Sequence, residues 1–117
     1  MYILFRYPER QLLMINKVAK GRRVENIARD KLKTQGYLVD KKVRTRFSSP
    51  DFFGAFDLLA IKGNKVKFVQ VKSNPSDFYK ARKELKEWLK MYNLFINAEL
   101  WLYFEREWRI EKIGFKI

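Results

Sequence analysis

Asp57, Gln70 and Lys72 supply two oxygen donors and an ammonium, enough to hold a hard metal ion and to steady negative charge developing beside it. What makes the trio notable is the hairpin in which it falls. The apolar run 56–61 meets the run 65–72 across Gly63-Asn64, a glycine-first two-residue turn that fixes strand register. Counting back from that turn pairs Ile61 with Val66, Leu59 with Phe68 and Asp57 with Gln70. Side chains alternate along a strand, so Lys72 shares the face of Gln70. Directly opposed residues have Cβ atoms roughly 5 Å apart. The polar groups therefore cluster at the far end of a face otherwise made of Leu59, Ile61, Val66 and Phe68. Leaving them buried and unsatisfied there would cost about 1 to 3 kcal/mol each, an expense that points to a site.

The whole-chain composition bounds what such a site could serve. At 117 residues the chain is expected to form one domain over 1–117, with 1–16 as a candidate N-terminal arm or extra strand. Hydrophobic residues make up 47% and aromatics 16%, which excludes a disordered basic tail. Lys and Arg number 26 against 13 acids, and the net charge of +13 predicts attraction to a polyanion, with nucleic acid foremost. The basic residues are spread over several elements, which argues against a membrane anchor. The apolar opening Met1 to Phe5 is too short to span a bilayer. A cytoplasmic location is the expectation. With no cysteine and no histidine, a metal would be held by oxygen, favouring Mg²⁺ or Mn²⁺.

The elements that must position the trio can be read from periodicity. Val24, Ile27, Ala28 and Leu32 recur at helical spacing, predicting a helix over 18–35 that Gly36 stops and Gly21 interrupts near its start. A strand is expected over 37–47, with Lys41, Lys42, Arg44 and Arg46 as an outward basic edge, then a loop at Ser48-Ser49-Pro50-Asp51. After the hairpin, Asn74-Pro75 begins a helix to about Tyr92. Its apolar side is Phe78, Ala81, Leu85, Trp88, Leu89 and Tyr92, and its opposite side carries Lys80, Arg82, Lys83, Lys86 and Lys90. A second hairpin joins 99–104 to 108–113. Trp88, Trp101 and Trp108 fall at spacings that suit packing or dimer contacts rather than base stacking.

The order helix, three strands, helix, two strands, with an Asp entering the second strand and a polar-x-Lys closing the third, resembles the PD-(D/E)XK nuclease superfamily. It is most similar to archaeal-type Holliday junction resolvases, whose first helix opens with a Lys-Gly-x-x-x-Glu pattern, here Lys20-Gly21-Arg22-Arg23-Val24-Glu25. The resemblance implies an α/β restriction-endonuclease-like core: a mixed central sheet of about five strands flanked by helices. It also implies a metal-dependent DNA endonuclease working as a homodimer on four-way junctions in DNA recombination. Asp57, Gln70, the Val71 carbonyl and Glu25 would then hold Mg²⁺ or Mn²⁺, with Lys72 catalytic beside them. DNA contacts would come from Lys20, Arg22, Arg23, Arg44, Arg46, Ser48, Ser49, Lys80, Lys83 and Lys86. Two residues depart from the pattern. Phe56 replaces a proline that acts through the backbone. Gln70 replaces an acid, as in a transposon-encoded endonuclease branch that looks alike, and this removes one negative charge. A catalytically inactive DNA-binding protein on the same scaffold therefore stands as the alternative.

Overall fold

The computed structural model describes residues 9–41 and 52–114. Helix α1 (Glu9–Thr34) is followed by strands β1 (Leu38–Lys41), β2 (Leu58–Lys62) and β3 (Lys65–Lys72), helix α2 (Pro75–Met91), and strands β4 (Ala98–Phe104) and β5 (Glu107–Lys112). The strands form one sheet in the order β1-β2-β3-β4-β5. Every pairing is antiparallel except β3 with β4, which run parallel because α2 carries the chain back across the sheet.

Alternation along the strands sorts the core into two layers. Leu58, Ala60, Val69, Val71 and Trp101 face α1, meeting Val24, Ala28 and Leu32, which lie one helical turn apart on a single stripe. The opposite face meets α2, with Leu100 and Leu102 against Phe78 and Ala81, and Ala98 and Phe56 against Leu85 and Leu89.

Both helices end in glycine-like turns. Gly36 takes φ +92°, and Tyr37 N–H donates to the Leu32 carbonyl at 3.1 Å, closing α1 and turning the chain into β1. Asn93, at φ 52°, plays that part after α2, where Leu94 N–H donates to Leu89 O at 2.9 Å. At the start of α2 the Asn74 side chain accepts from Ser76 N–H at 2.9 Å and Pro75 takes a position that needs no donor, as expected.

Several expectations are corrected. Residues 9–16, the described part of the candidate arm or extra strand, are helical, and α1 runs through Gly21 without a break. A lone glycine costs a helix only about 1 kcal/mol relative to alanine, which the packing of the following turns offsets. Lys41 does not stand on an outward basic edge: its Nζ donates to Asn26 Oδ1 at 2.7 Å and lies 3.6 Å from Glu25 Oε1. Tyr92, just past the end of α2, keeps to the side of Trp88 but is 59% exposed rather than part of the core. Arg44, Arg46, Ser48 and Ser49 lie outside the described residues. Trp101 is fully packed and meets the half-buried Trp108 edge-on at 5.2 Å, in keeping with a core role.

Candidate active site

The hairpin forms in the expected register at its turn, with Ile61 opposite Val66 and Leu59 opposite Phe68. Gly63 adopts φ +60°, the conformation a glycine-first turn needs. At the other end the register changes. Leu58 is the last paired residue, opposite Val69, yet Asp57 N–H also donates to the Val69 carbonyl at 2.9 Å. Two residues thus address one, the arrangement of a β-bulge, which bends a strand and re-aims a side chain.

The bulge moves Asp57 out of simple opposition to Gln70. Its Oδ2 instead accepts from the Val71 N–H at 2.7 Å. In an antiparallel ladder a residue's N–H and C=O point toward the same neighbour. The Val71 carbonyl therefore faces the side from which Asp57 approaches. Gln70 and Lys72, flanking Val71, project to the α2 face, where they line an open groove of about 280 Å³ with Gly54, Ala55, Asp77, Lys80, Ala81, Glu84, Leu85 and Trp88. Gln70 Oε1 is buried there and accepts no hydrogen bond. A buried amide oxygen without a donor costs about 1 to 3 kcal/mol, and either a hydrogen-bond donor or a cation would relieve it.

Glu25 reaches the same end of the sheet by another route. It projects from α1 and pairs with Lys41, whose strand position is opposite Leu58, the neighbour of Asp57. The Glu25 and Lys41 pair thus lies on the α1 face, whereas Gln70 and Lys72 line the groove on the α2 face, and the Asp57 carboxylate is joined to that strand by its bond to Val71. Among the described residues no three Asp, Glu, His or Cys side chains gather as a cation site. Any cation bound there would rely on Gln70 and main-chain oxygen beside the acids.

The proposed nucleic-acid contacts divide. Lys20, Arg22 and Arg23 are exposed on α1, and Lys80, Lys83 and Lys86 are exposed on α2. Lys80 stands 4.0 Å from Glu84 one turn on, a loose surface pair that leaves its ammonium open to solvent.

Sequence reasoning missed one internal acid. Glu99 is 2% exposed, accepts from Trp101 Nε1 at 2.9 Å and pairs with Lys67 Nζ at 3.2 Å. Burial alone would lower the Lys67 pKa, but the charge and hydrogen bond of Glu99, with help from Tyr37, leave it raised above the ordinary value. The Lys67 ammonium also lies 4.9 Å from the centre of the Tyr37 ring. The signal available in the sequence was Glu99 two residues before Trp101 in an apolar strand, where alternation puts both on the same face.

A mixed five-stranded sheet with α1 on one face and the α2 crossover on the other is a restriction-endonuclease-like core, as the sequence led us to expect. The same architecture is found in Archaeoglobus fulgidus Hjc, a Holliday junction resolvase from an archaeal hyperthermophile. The two are similar with a TM-score of 0.55 and 19% identity, over 80% of this chain and 73% of that one. That likeness establishes the fold. No family model and no curated protein matches the chain. Among the described residues no helix is long and apolar enough to cross a membrane.

Proposed function

We propose that this protein is a metal-dependent DNA endonuclease that cuts branched DNA such as a four-way junction, acting as a homodimer. The observation that carries the reading is Gln70 Oε1, buried and without a donor beside Lys72 and the Asp57 to Val71 bond. The donors at that end of the sheet are all oxygen, which fits a hard divalent cation, Mg²⁺ or Mn²⁺. Asp57, Gln70 and the Val71 carbonyl would hold it, with Glu25 as the further acid. A cation so bound would supply Lewis-acid polarisation of the scissile phosphate.

The chain's own groups do the remaining work. Lys72, on the groove wall next to Gln70, would orient the attacking water and offset negative charge as the phosphorus becomes five-coordinate. Asp57 is held by the Val71 N–H, so its carboxylate is fixed before substrate arrives. The net charge of +13 brings the DNA backbone to the groove, and two copies of the chain would allow paired cuts across a symmetric junction.

A second reading is a DNA-binding protein on the same scaffold without catalysis. It is favoured by the missing acid at Gln70 and by the lack of a three-carboxylate cluster among the described residues. Cleavage of junction, flap, nicked and plain duplex DNA, each with Mg²⁺ or EDTA, separates the two. The enzyme reading expects metal-dependent nicking by the wild type, and Gln70→Glu active at a lower Mg²⁺ concentration because a carboxylate is the stronger ligand. Wild type inert with both Mg²⁺ and Mn²⁺ overturns it in favour of the binder.

A further inference from the structure

Beside the Gln70 and Lys72 groove lies a second hollow of about 530 Å³ walled by Phe53, Phe68, Trp88, Tyr92, Leu94 and Ile96. Its size falls within the range of about 300 to 1,000 Å³ typical of ligand pockets. Four of its six walls are aromatic. Phe53 is 75% exposed and Tyr92 59%, so two large ring faces meet solvent at the rim of a hollow whose floor is apolar. Scattered exposed rings are ordinary, but a contiguous concave set is not.

The rings are held in place rather than left loose. Trp88 and Tyr92 stand 5.5 Å apart between centres, Phe53 and Phe68 6.3 Å, and Phe56 beneath them contacts both Phe68 at 5.3 Å and Trp88 at 5.7 Å. Phe53 takes φ 56°, a backbone conformation that bulky residues rarely adopt. The turn is pinned by Ala55 N–H and Phe56 N–H, both donating to Phe52 O at 3.0 Å. The fold thus maintains an unfavourable backbone at a residue whose ring is turned outward.

The two hollows are neighbours. Trp88 lines both, and the turn that places Phe53 in one places Gly54 and Ala55 in the other. A molecule that filled both would put one part in the aromatic hollow and another along Lys72 and Lys80, on a chain of net charge +13. Asp77 and Glu84 also line that groove, so its attraction for phosphate rests on the lysines and on the charge of the whole molecule. A flat, apolar-faced group attached to a polyanionic backbone meets both requirements: it is a nucleobase that has left its stack.

We propose that the Phe53–Trp88–Tyr92 hollow receives an unpaired DNA base next to the scissile phosphate, so that the protein selects DNA with an unstacked nucleotide over continuous duplex. This rests on the DNA reading above and adds the structural feature of the substrate that is recognised.

The test uses the full chain in EDTA, so that no cutting occurs, with 2-aminopurine placed either at the first unpaired position of a flapped duplex or within plain duplex. Wild type should quench the flap probe on binding and leave the duplex probe unchanged. Phe53→Ala and Tyr92→Ala should each abolish the quench and weaken flap binding roughly 5- to 100-fold, the effect of losing one stacking partner, while duplex affinity stays within about twofold. Phe53→Gly, which suits the left-handed backbone, should behave like Phe53→Ala and exclude misfolding as the cause. The proposal is overturned if wild type binds the flap without quenching, or if the variants weaken flap and duplex equally. It is also overturned if the variants change the mass in solution by light scattering, which would mark the hollow as a contact between two copies. No quench in EDTA together with nicking in the separate Mg²⁺ assay would remove the base pocket and leave the nuclease reading standing, whereas failure to bind either DNA removes both.

Discussion

Lys67 and Gln70 lie three residues apart in the same strand, and the fold treats them in opposite ways. Lys67 points to the α1 side, where Glu99, itself almost wholly buried, the Tyr37 ring and the Trp101 indole close a satisfied polar cluster. Gln70 points to the α2 side with its amide oxygen buried and unmatched, one residue from a backbone N–H that Asp57 has captured. Near the turn, the hairpin keeps perfect register; near Gln70, it bulges. A polar group that serves stability is found with its partners. Gln70, without such partners and beside a local break in regular structure, is the one our functional reading assigns to a ligand.

Breaking the satisfied end should have the largest effect. Lys67→Met strands the Glu99 carboxylate in the core, and we expect it to destabilise the fold by about 3 to 5 kcal/mol, the scale of an uncompensated buried charge. Urea titration measures this. A loss under about 1 kcal/mol would mean that the pair is solvated in solution and that the contrast between the two ends is weaker than the geometry suggests.

At the other end, activity rather than stability should respond. Lys72→Ala and Asp57→Asn are each expected to lower metal-dependent cleavage by about 10² or more, with the urea midpoint little changed for Lys72→Ala. Wild-type rates in both variants would sink the site assignment. Gln70→Leu sharpens the comparison further. It removes an unsatisfied buried acceptor, so the protein should gain about 1 kcal/mol while losing cleavage. A loss of stability instead would show that the Gln70 amide oxygen has a partner in solution.

The smallest effect concerns pH. Lys67 has a raised folded-state pKa, so its contribution is complete below the pKa of an unfolded lysine and is lost as pH climbs through the higher folded value. Above about pH 10.4, the ordinary lysine value, the wild type should lose more stability than Lys67→Arg, whose guanidinium stays charged. Parallel curves for the two proteins would count against the Lys67 to Glu99 pair as the source.

The hairpin and the capped start of α2 were legible in the sequence because their signals are local. Gly63-Asn64 sets its own turn, and Asn74-Pro75 satisfies its own helix end. The order of elements followed from periodicity, the layering of helices on a mixed sheet was implied by the family resemblance, and both agree with the fold of the archaeal resolvase. The alternation that brought Gln70 and Lys72 to one face was also in the sequence, since it depends only on strand geometry.

Other features needed distant parts of the chain to meet. The bulge at Asp57 breaks the ladder just where Phe56 turns back onto Phe52 to pack against Trp88, and no local residue pattern announces it. Lys41 read as surface charge until α1 brought Asn26 and Glu25 alongside it. Glu99 read as the polar start of a strand until the parallel pairing of β4 with β3 set it beside Lys67. The aromatic hollow brings together Tyr92, just past the end of α2, and Phe53, held outward by a turn 39 positions earlier. Local sequence fixes turns, caps and faces because each is decided within a few bonds. Which polar groups find partners depends on packing between elements far apart in the chain, and that was decided by the tertiary structure alone.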